Sequence, residues 1–190
     1  MATARRGRWS RGPAERRARI LDAAERVIVE EGLRALSVPR VAAAAGIAPA
    51  TAYLYFDGRE RLIAALQRRY GEDLAARASV LEGPGDRLVR YERFVAASLA
   101  QLRAAQGLMS ALVREAGCDP LVLLAPATEV MARFIDEGRR AGEFQVFDTH
   151  AAALLLTHGT HAVLLDALGS DVPVPRIVAT CSALARRLLT

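Results

Sequence analysis

The chain has 190 residues, 26 basic and 21 acidic side chains, and a formal net charge of +5 at pH 7. Because 52% of its residues are hydrophobic, it has enough apolar material for a sizeable core, which excludes a chain that is disordered throughout. No uncharged apolar stretch reaches the roughly 18 residues that a membrane-spanning helix needs. The basic start of the sequence leads into no apolar segment of a secretory signal. We therefore expect a soluble cytoplasmic protein with no membrane partner.

Apolar residues recur at helical spacing along almost the whole chain, and alternating strand patterns are nearly absent. This periodicity predicts an all-α fold with nine helices and no sheet. In chain order we expect helices over 13–31, 38–45, 49–55, from a cap at Asp57 to about 80, and then over 86–105, 108–116, 121–141, 149–168 and 174–189. In the connection over 143–148 we expect the apolar residues to turn inward.

The charge is distributed unevenly between the two parts of the chain. Residues 1–70 contain 14 arginines and 7 acidic residues, whereas residues 71–190 contain 12 arginines and 14 acidic residues. The first part thus carries a net +7 and the second a net −2. A small basic unit joined to a larger, mildly acidic one is typical of a polyanion-binding head on a separate body.

The most informative stretch runs from Ser37 to Leu62 and reads SVPRVAAAAGIAPATAYLYFDGRERL. Its pattern predicts two short helices separated by a tight turn at Gly46, which is the plan of a helix-turn-helix. In that motif the N-terminal end of the second helix enters the major groove of DNA and contacts base edges.

Three features make the stretch from Ser37 to Leu62 more specific than a helix-turn-helix pattern alone. An amphipathic helix precedes it, its second helix ends in Tyr-x-Tyr-Phe, and a new helix starts over Arg59–Leu62. It resembles the DNA-binding domain of the TetR family (TetR/AcrR type) of bacterial transcriptional regulators, over about residues 14–70. The resemblance implies a three-helix DNA-binding head and a body of about six helices that binds a small effector and dimerises. On this basis we expect a basic arm over 1–12, a helix-turn-helix domain over 13–58 and a helical body over 59–190.

The resemblance also implies which residues contact DNA. Ser37 takes the N-cap position whose hydroxyl and amide face a phosphate, and Arg59 takes a position where a cation holds another phosphate. The whole expected set is Ser37, Arg40, Pro49, Ala50, Thr51, Tyr53, Tyr55 and Arg59. One departure is Ala48, which stands where the family commonly has a serine cap for the recognition helix; Pro49 compensates in part by removing one amide donor.

The arginines of the arm, Arg5, Arg6, Arg8 and Arg11, have two open interpretations. They either follow the DNA minor groove or phosphates, or belong to a solvated tail.

The family places its effector among the body helices, which makes inward-facing residues there candidates for an apolar or aromatic ligand. These are Tyr91, Phe94, Met109, Met131, Phe134 and His158, although for each one taken singly ordinary core is the simpler explanation. Residues 151–165 are apolar nearly all round, and the last helix carries a second apolar stripe. We therefore predict a four-helix homodimer interface containing Leu155, Ala162, Leu165, Ile177, Cys181, Leu184 and Leu188.

Three histidines, His150, His158 and His161, fall on one predicted helix, but no third metal ligand of suitable type is evident near them. We expect no metal and no cofactor. The sequence contains no nucleophile elbow, phosphate loop or dinucleotide fingerprint, so we do not expect an enzyme. We interpret Cys118 as a loop thiol and Cys181 as a core residue, and a redox switch stays open.

Taken together, these patterns predict a ligand-responsive transcriptional regulator whose partners are double-stranded DNA, a small-molecule effector and a second copy of itself. We expect a repressor that leaves a palindromic operator when the effector binds. Two alternatives stay open: a non-specific architectural DNA-binding protein, and a helical small-molecule carrier.

Overall fold

The computed structural model of the protein describes residues 12–105, 108, 111–112, 116–117 and 119–190. Within these ranges the chain forms eight α-helices, two short 3-10 helices and no strand, which confirms the predicted all-α fold. The helices are α1 (Pro13–Glu31), α2 (Val38–Ala45), α3 (Pro49–Tyr53), α4 (Arg59–Ala78), α5 (Arg87–Ala104), α6 (Pro120–Arg140), α7 (Thr149–Ala167) and α8 (Val174–Leu189). None of the described helices is long and apolar enough to cross a bilayer.

Most helices begin and end within two residues of their predicted bounds, but two expectations need correction. Helix α3 ends at Tyr53 rather than Tyr55, because the amides of Tyr55 and Phe56 both donate to the carbonyl of Ala52 and close its last turn. In the connection over 143–148, Phe144 is buried as expected, whereas Phe147 is fully exposed. The short helix predicted near 108–116 falls mostly outside the described residues and stays a prediction.

Aspartate caps explain where three of the body helices begin. The side chain of an aspartate directly before each helix accepts a hydrogen bond from a backbone amide in the first turn, which satisfies a donor that has no partner within the helix. The three caps are Asp86 to Val89 N at 3.0 Å, Asp119 to Leu121 N at 2.9 Å, and Asp148 to Ala151 N at 3.0 Å.

The first compact unit consists of the described residues up to Leu66, together with those between Ser110 and Gly117. Helix α1 packs on α2, and α2 packs on α3. The helix expected to be amphipathic, α1, buries an apolar stripe in this unit, where Phe56 and Leu62 are also buried. The buried stripe consists of Ile20, Leu21, Ala24, Val27 and Ile28.

The second unit contains the described residues from Gln67 onward, apart from those between Ser110 and Gly117. Helix α6 packs mainly on α7, and α5 packs mainly on α8. Helix α4 meets α6 closely at Gly71, where an added Cβ would lie 2.5 Å from the carbonyl oxygen of Leu123. The proposed domain boundary between 58 and 59 precedes α4, whereas the compact units divide within that helix.

Candidate nucleic-acid interface

The turn between α2 and α3 depends on Gly46. This residue has φ 67°, a left-handed conformation that costs glycine little because it has no Cβ. Its amide donates to Ala43 O at 3.1 Å, and the amide of Ile47 donates to Ala42 O at 3.0 Å. These two bonds form a Schellman motif, which satisfies the end of α2 and fixes the direction in which α3 leaves.

The two short helices begin differently. The hydroxyl of Ser37 accepts a hydrogen bond from Arg40 N at 3.3 Å and caps α2, as predicted. Ala48 precedes α3 and makes no capping hydrogen bond through its side chain to any described residue. Pro49 occupies the first turn of α3. The recognition helix is therefore held by the Gly46 turn and by packing of its buried Ala52, rather than by a capping side chain.

The predicted DNA-contacting residues of α3 differ in exposure. Pro49, Ala50 and Tyr53 are exposed, whereas Thr51 and Tyr55 are half-buried. A surface depression of about 340 Å³ opens beside the start of this helix. Its lining residues are Arg16, Gly46, Ile47, Ala48 and Thr51. The exposed face is small and mostly apolar, which suits contacts with thymine methyl groups and with DNA shape more than hydrogen-bonded base reading.

Arg40 is engaged within the first unit. Its Nε donates to the carboxylate of Glu31 at 2.9 Å, and its Nη2 forms a second bond to the same carboxylate. The bidentate pair lowers the pKa of Glu31 and raises the pKa of Arg40. About two-fifths of the Arg40 side chain is exposed, so a phosphate would have to compete with Glu31 for its guanidinium.

Arg59 also has a structural partner that the sequence did not reveal. Its Nη2 donates to the carbonyl oxygen of Leu33 at 3.0 Å, and the residue is half-buried. The bond ties the start of α4 to the 3-10 helix over Leu33–Ala35. If Arg59 contacts DNA, its guanidinium does so while the hydrogen bond to Leu33 O already holds it in place.

Sequence reasoning missed Leu54, which follows the recognition helix and is 83% exposed. An apolar side chain this exposed beside Tyr53 adds to the face that α3 presents. The adjacent Phe56 points the other way and is buried, with the guanidinium of Arg17 5.2 Å from its ring centroid. In the Tyr-x-Tyr-Phe pattern, Phe56 is thus a core residue, Tyr53 is exposed and Tyr55 is half-buried.

In the second unit, most of the expected effector-binding residues are core residues. Tyr91, Phe94, Met131 and Phe134 are buried, and His158 is half-buried, whereas Met109 lies outside the described residues. The rings of Tyr91 and Phe94 lie 6.4 Å apart. The ring centroid of Phe134 instead lies 5.5 Å from that of Phe144, which is not among the expected residues. The expected effector-binding residues therefore take part in at least two separate aromatic contacts.

Polar groups that the sequence did not single out lie in the same unit. The ring centroids of Tyr70 and His161 are 6.1 Å apart. Burial raises the pKa of Tyr70 to about 12 and lowers the pKa of His161 to about 4, so both are uncharged at neutral pH. The hydroxyls of Tyr91 and Thr160 share a hydrogen bond of 2.5 Å. A threonine or histidine in an otherwise apolar helix, such as α7, is the sequence feature that could have indicated these buried polar side chains.

The predicted dimer-interface residues separate into two sets. Leu155, Ala162 and Leu184 are exposed, and Leu165 and Leu188 are half-buried. Ile177 and Cys181 are 4% and 2% exposed, which corrects their assignment to the outward face. They pack inside their own protomer because the buried line of α8 continues through Ala185 and Leu189 instead of through Leu184 and Leu188.

Three further expectations concern the basic arm, the thiols and metals. The arm arginines, from Arg5 to Arg11, and Cys118 lie outside the described residues. Cys181 is buried, and burial raises the pKa of its thiol. Among the residues that the structure describes, no three of the metal-binding type come together.

Comparison with known proteins places this geometry in context. Residues 20–66 match the family described as bacterial regulatory proteins, tetR family. The curated relatives include the HTH-type transcriptional regulator BetI of Brucella anthropi, which is 39% identical over 77 residues. That match covers 38% of this chain and 40% of BetI, so the chain spans well under half the length of this relative.

Solved structures agree over a longer part of the chain, at identities that show the fold alone. A TetR-family transcriptional regulator from Rhodococcus sp. has a TM-score of 0.74 and 23% identity, with 93% of this chain and 100% of that chain covered. FadR from Bacillus subtilis, solved in complex with stearoyl-CoA, has a TM-score of 0.72 and 19% identity, with coverages of 88% and 96%. The helix-turn-helix geometry agrees with the family match, so residues 20–66 form a DNA-binding domain of the tetR type, and the all-helical fold of the chain agrees with these solved structures.

Proposed function

We propose that the protein is a homodimeric, ligand-responsive transcriptional repressor that binds a palindromic operator. The observation that supports this proposal most is that Pro49, Ala50 and Tyr53 are exposed on α3. The Gly46 turn holds this helix in the first unit. The surrounding residues 1–70 carry a net charge of +7, which favours DNA over other partners. The same reasoning favours action in the cytoplasm and gives no role to catalysis.

A second copy would provide the symmetry that a palindromic operator requires. Leu155 is 62% exposed on α7 and Leu184 is 54% exposed on α8, and these two helices pack on each other. Large apolar side chains exposed on neighbouring helices favour burial against another copy of the chain. The contacts proposed are Leu155, Ala162, Leu165, Leu184 and Leu188.

Regulation by a ligand would follow from the body of the protein. FadR from Bacillus subtilis shares this fold and was solved with stearoyl-CoA. In our proposal, an effector binds among the body helices near Tyr91, Phe94, Met131, Phe134 and His158. The two heads of a dimer must meet major grooves about 34–36 Å apart. An effector that prefers a body conformation with another spacing would weaken DNA binding by its differential affinity, typically about 1–3 kcal/mol.

The experiment that tests this function is a selection of genomic DNA fragments bound by the full chain, followed by fluorescence anisotropy. We expect a palindromic fragment that binds at least on the order of 100-fold more tightly than its scrambled version at physiological salt. Equal affinity for both fragments would instead identify an architectural DNA-binding protein. No binding to either would favour the small-molecule carrier.

A further inference from the structure

Four polar side chains that DNA binding does not use lie together in the second unit. We call them the polar cluster: Tyr70 on α4, and Thr157, His158 and His161 on α7. Tyr70 and His161 are each 8% exposed and Thr157 is 4% exposed. The 6.1 Å contact between the rings of Tyr70 and His161 joins the two helices. Since Thr157 and His161 are four residues apart on α7, they share one face of that helix.

The polar cluster is notable because its hydrogen-bonding atoms are unsatisfied. The hydroxyl oxygens of Tyr70 and Thr157, and Nε2 of His158 and of His161, are buried and have no hydrogen-bond partner among the described residues. Thr160, on the same helix, differs because its hydroxyl is paired with Tyr91. Buried polar atoms in proteins are almost always satisfied by protein groups or by ordered water. Four unpaired atoms on two helices that are in contact therefore indicate a site for a group from outside the chain.

Building on the effector-binding function proposed above, we infer that the polar cluster recognises an uncharged hydrogen-bonding group of the effector, such as a hydroxyl, carbonyl or amide. Hydroxyl groups both donate and accept hydrogen bonds, and a neutral imidazole does either according to its tautomer. The cluster therefore matches a group of this kind without any change of protonation.

The charges around the cluster explain why an uncharged group is favoured over an ion. Because Tyr70 and His161 are both neutral at physiological pH, a buried ion would find no opposite charge on them. The cation that acts on Tyr70 is Arg77, which is half-buried and lies two turns further along α4. A buried carboxylate at the cluster would therefore have to be neutralised by Arg77 and not by Tyr70 or His161.

The rest of the ligand is expected to be apolar or aromatic. The hydrogen bond between Thr160 and Tyr91 brings the aromatic residues of α5 next to α7 one residue before His161. The ring of Phe94 follows at 6.4 Å from that of Tyr91. Ligand sites are commonly apolar with a few polar groups that orient the ligand.

Three probes that share the naphthalene ring system and differ in one substituent test this inference: 2-naphthol, 2-methylnaphthalene and 2-naphthoate. We expect 2-naphthol to raise the melting temperature of the full chain by several degrees, and the other two probes to raise it much less. In Tyr70→Phe and Thr157→Val, the Kd for 2-naphthol measured by calorimetry should increase by about tenfold, the effect of losing one hydrogen bond. Thr128→Val is the matched control, because Thr128 is equally buried and its hydroxyl is bonded to Leu124 O at 3.0 Å.

The unliganded variants provide a readout that does not depend on any probe. Tyr70→Phe and Thr157→Val should melt at the same temperature as the original protein or higher, because neither loses an existing hydrogen bond. Melting several degrees lower would show that water or another group already satisfies the hydroxyls, which would overturn the inference. So would tighter binding of 2-naphthoate, unchanged 2-naphthol affinity in both variants, or no binding of any probe.

Operator binding measured with and without 2-naphthol separates this inference from the proposed function. If 2-naphthol binds through the polar cluster but leaves operator affinity unchanged, the ligand response proposed above fails and the cluster assignment stands. If the protein binds its operator specifically but no probe reaches the cluster, the DNA-binding function stands and the cluster assignment fails.

Discussion

The carboxylate of Glu31 holds the guanidinium of Arg40, with 2.9 Å between Nε and the carboxylate oxygen. The pair joins the end of α1 to the start of α2 on the surface of the head. A residue expected to bind a DNA phosphate is therefore already bound to an anion in the free protein, and DNA binding requires an exchange of partners. Glu31 thus tunes the electrostatics of the proposed interface.

Replacing Glu31 by glutamine should strengthen DNA binding. The substitution weakens the competitor for Arg40 and removes one negative charge from the head, so affinity for operator and random DNA should rise by about two- to fivefold. Anisotropy titrations over a range of salt concentrations measure this change. Glu30→Gln is the control, since Glu30 acts on Arg40 through charge alone. Equal effects of the two substitutions would contradict a specific competition.

Arg59→Ala should weaken DNA binding and destabilise the head at the same time. The proposed phosphate contact would be lost for operator and random DNA alike, and the hydrogen bond to Leu33 O would be lost from the fold, at about 1 kcal/mol. Urea unfolding and anisotropy separate the two losses. Arg61→Ala is the comparison, because Arg61 is exposed and pairs only loosely with Asp57 at 3.5 Å. A full loss of DNA binding with unchanged stability would contradict the structural role of Arg59.

The proposed dimer interface predicts different outcomes for two equally exposed leucines. Leu155→Glu should convert a dimer to monomers, because it places a charge in the apolar contact between copies. Leu121, which is 61% exposed on α6, should tolerate the same substitution. Light scattering after size-exclusion chromatography gives the mass of each variant. A dimeric Leu155→Glu protein together with a monomeric Leu121→Glu protein would place the interface elsewhere.

The buried imidazole of His161 predicts a loss of stability on mild acidification. Its pKa is lowered from 6.5 to about 4 by burial, so below pH 6.5 the unfolded chain takes up a proton that the folded chain does not. The stabilisation is complete above pH 6.5 and declines towards pH 4, by roughly 2 kcal/mol between pH 6.5 and 5.

Urea unfolding at pH 7 and pH 5 measures this decline. His161→Phe should lose that part of the pH dependence, whereas His150→Gln, at an exposed position on the same helix, should keep it. An identical pH dependence in both variants and the original protein would show that His161 is not the group responsible.

Cys181 should be unreactive in the folded protein, contrary to the open possibility of a redox switch. The side chain is 2% exposed, and burial raises the pKa of its thiol, which reduces both access and the thiolate fraction. In a Cys118→Ser background, the folded protein should react with a disulfide reagent at least on the order of 100-fold more slowly than the urea-unfolded chain. Rapid labelling without unfolding would restore the redox hypothesis.

The sequence by itself was enough to predict the eight described helices, the Ser37 cap and the helix-turn-helix. These features depend on local hydrogen bonds and on a spacing of 3.6 residues, which short patterns carry. Ser37 caps α2, Gly46 turns the chain and α8 spans 174–189 as predicted.

Only the tertiary structure decided which groups meet across long distances in the chain. In α8 two adjacent stripes are apolar, and packing buries Ile177 and Cys181 while it leaves Leu184 outside. The contact of Tyr70 with His161 likewise depends on how α4 and α7 pack, because local periodicity gives a helix face but no partner for it.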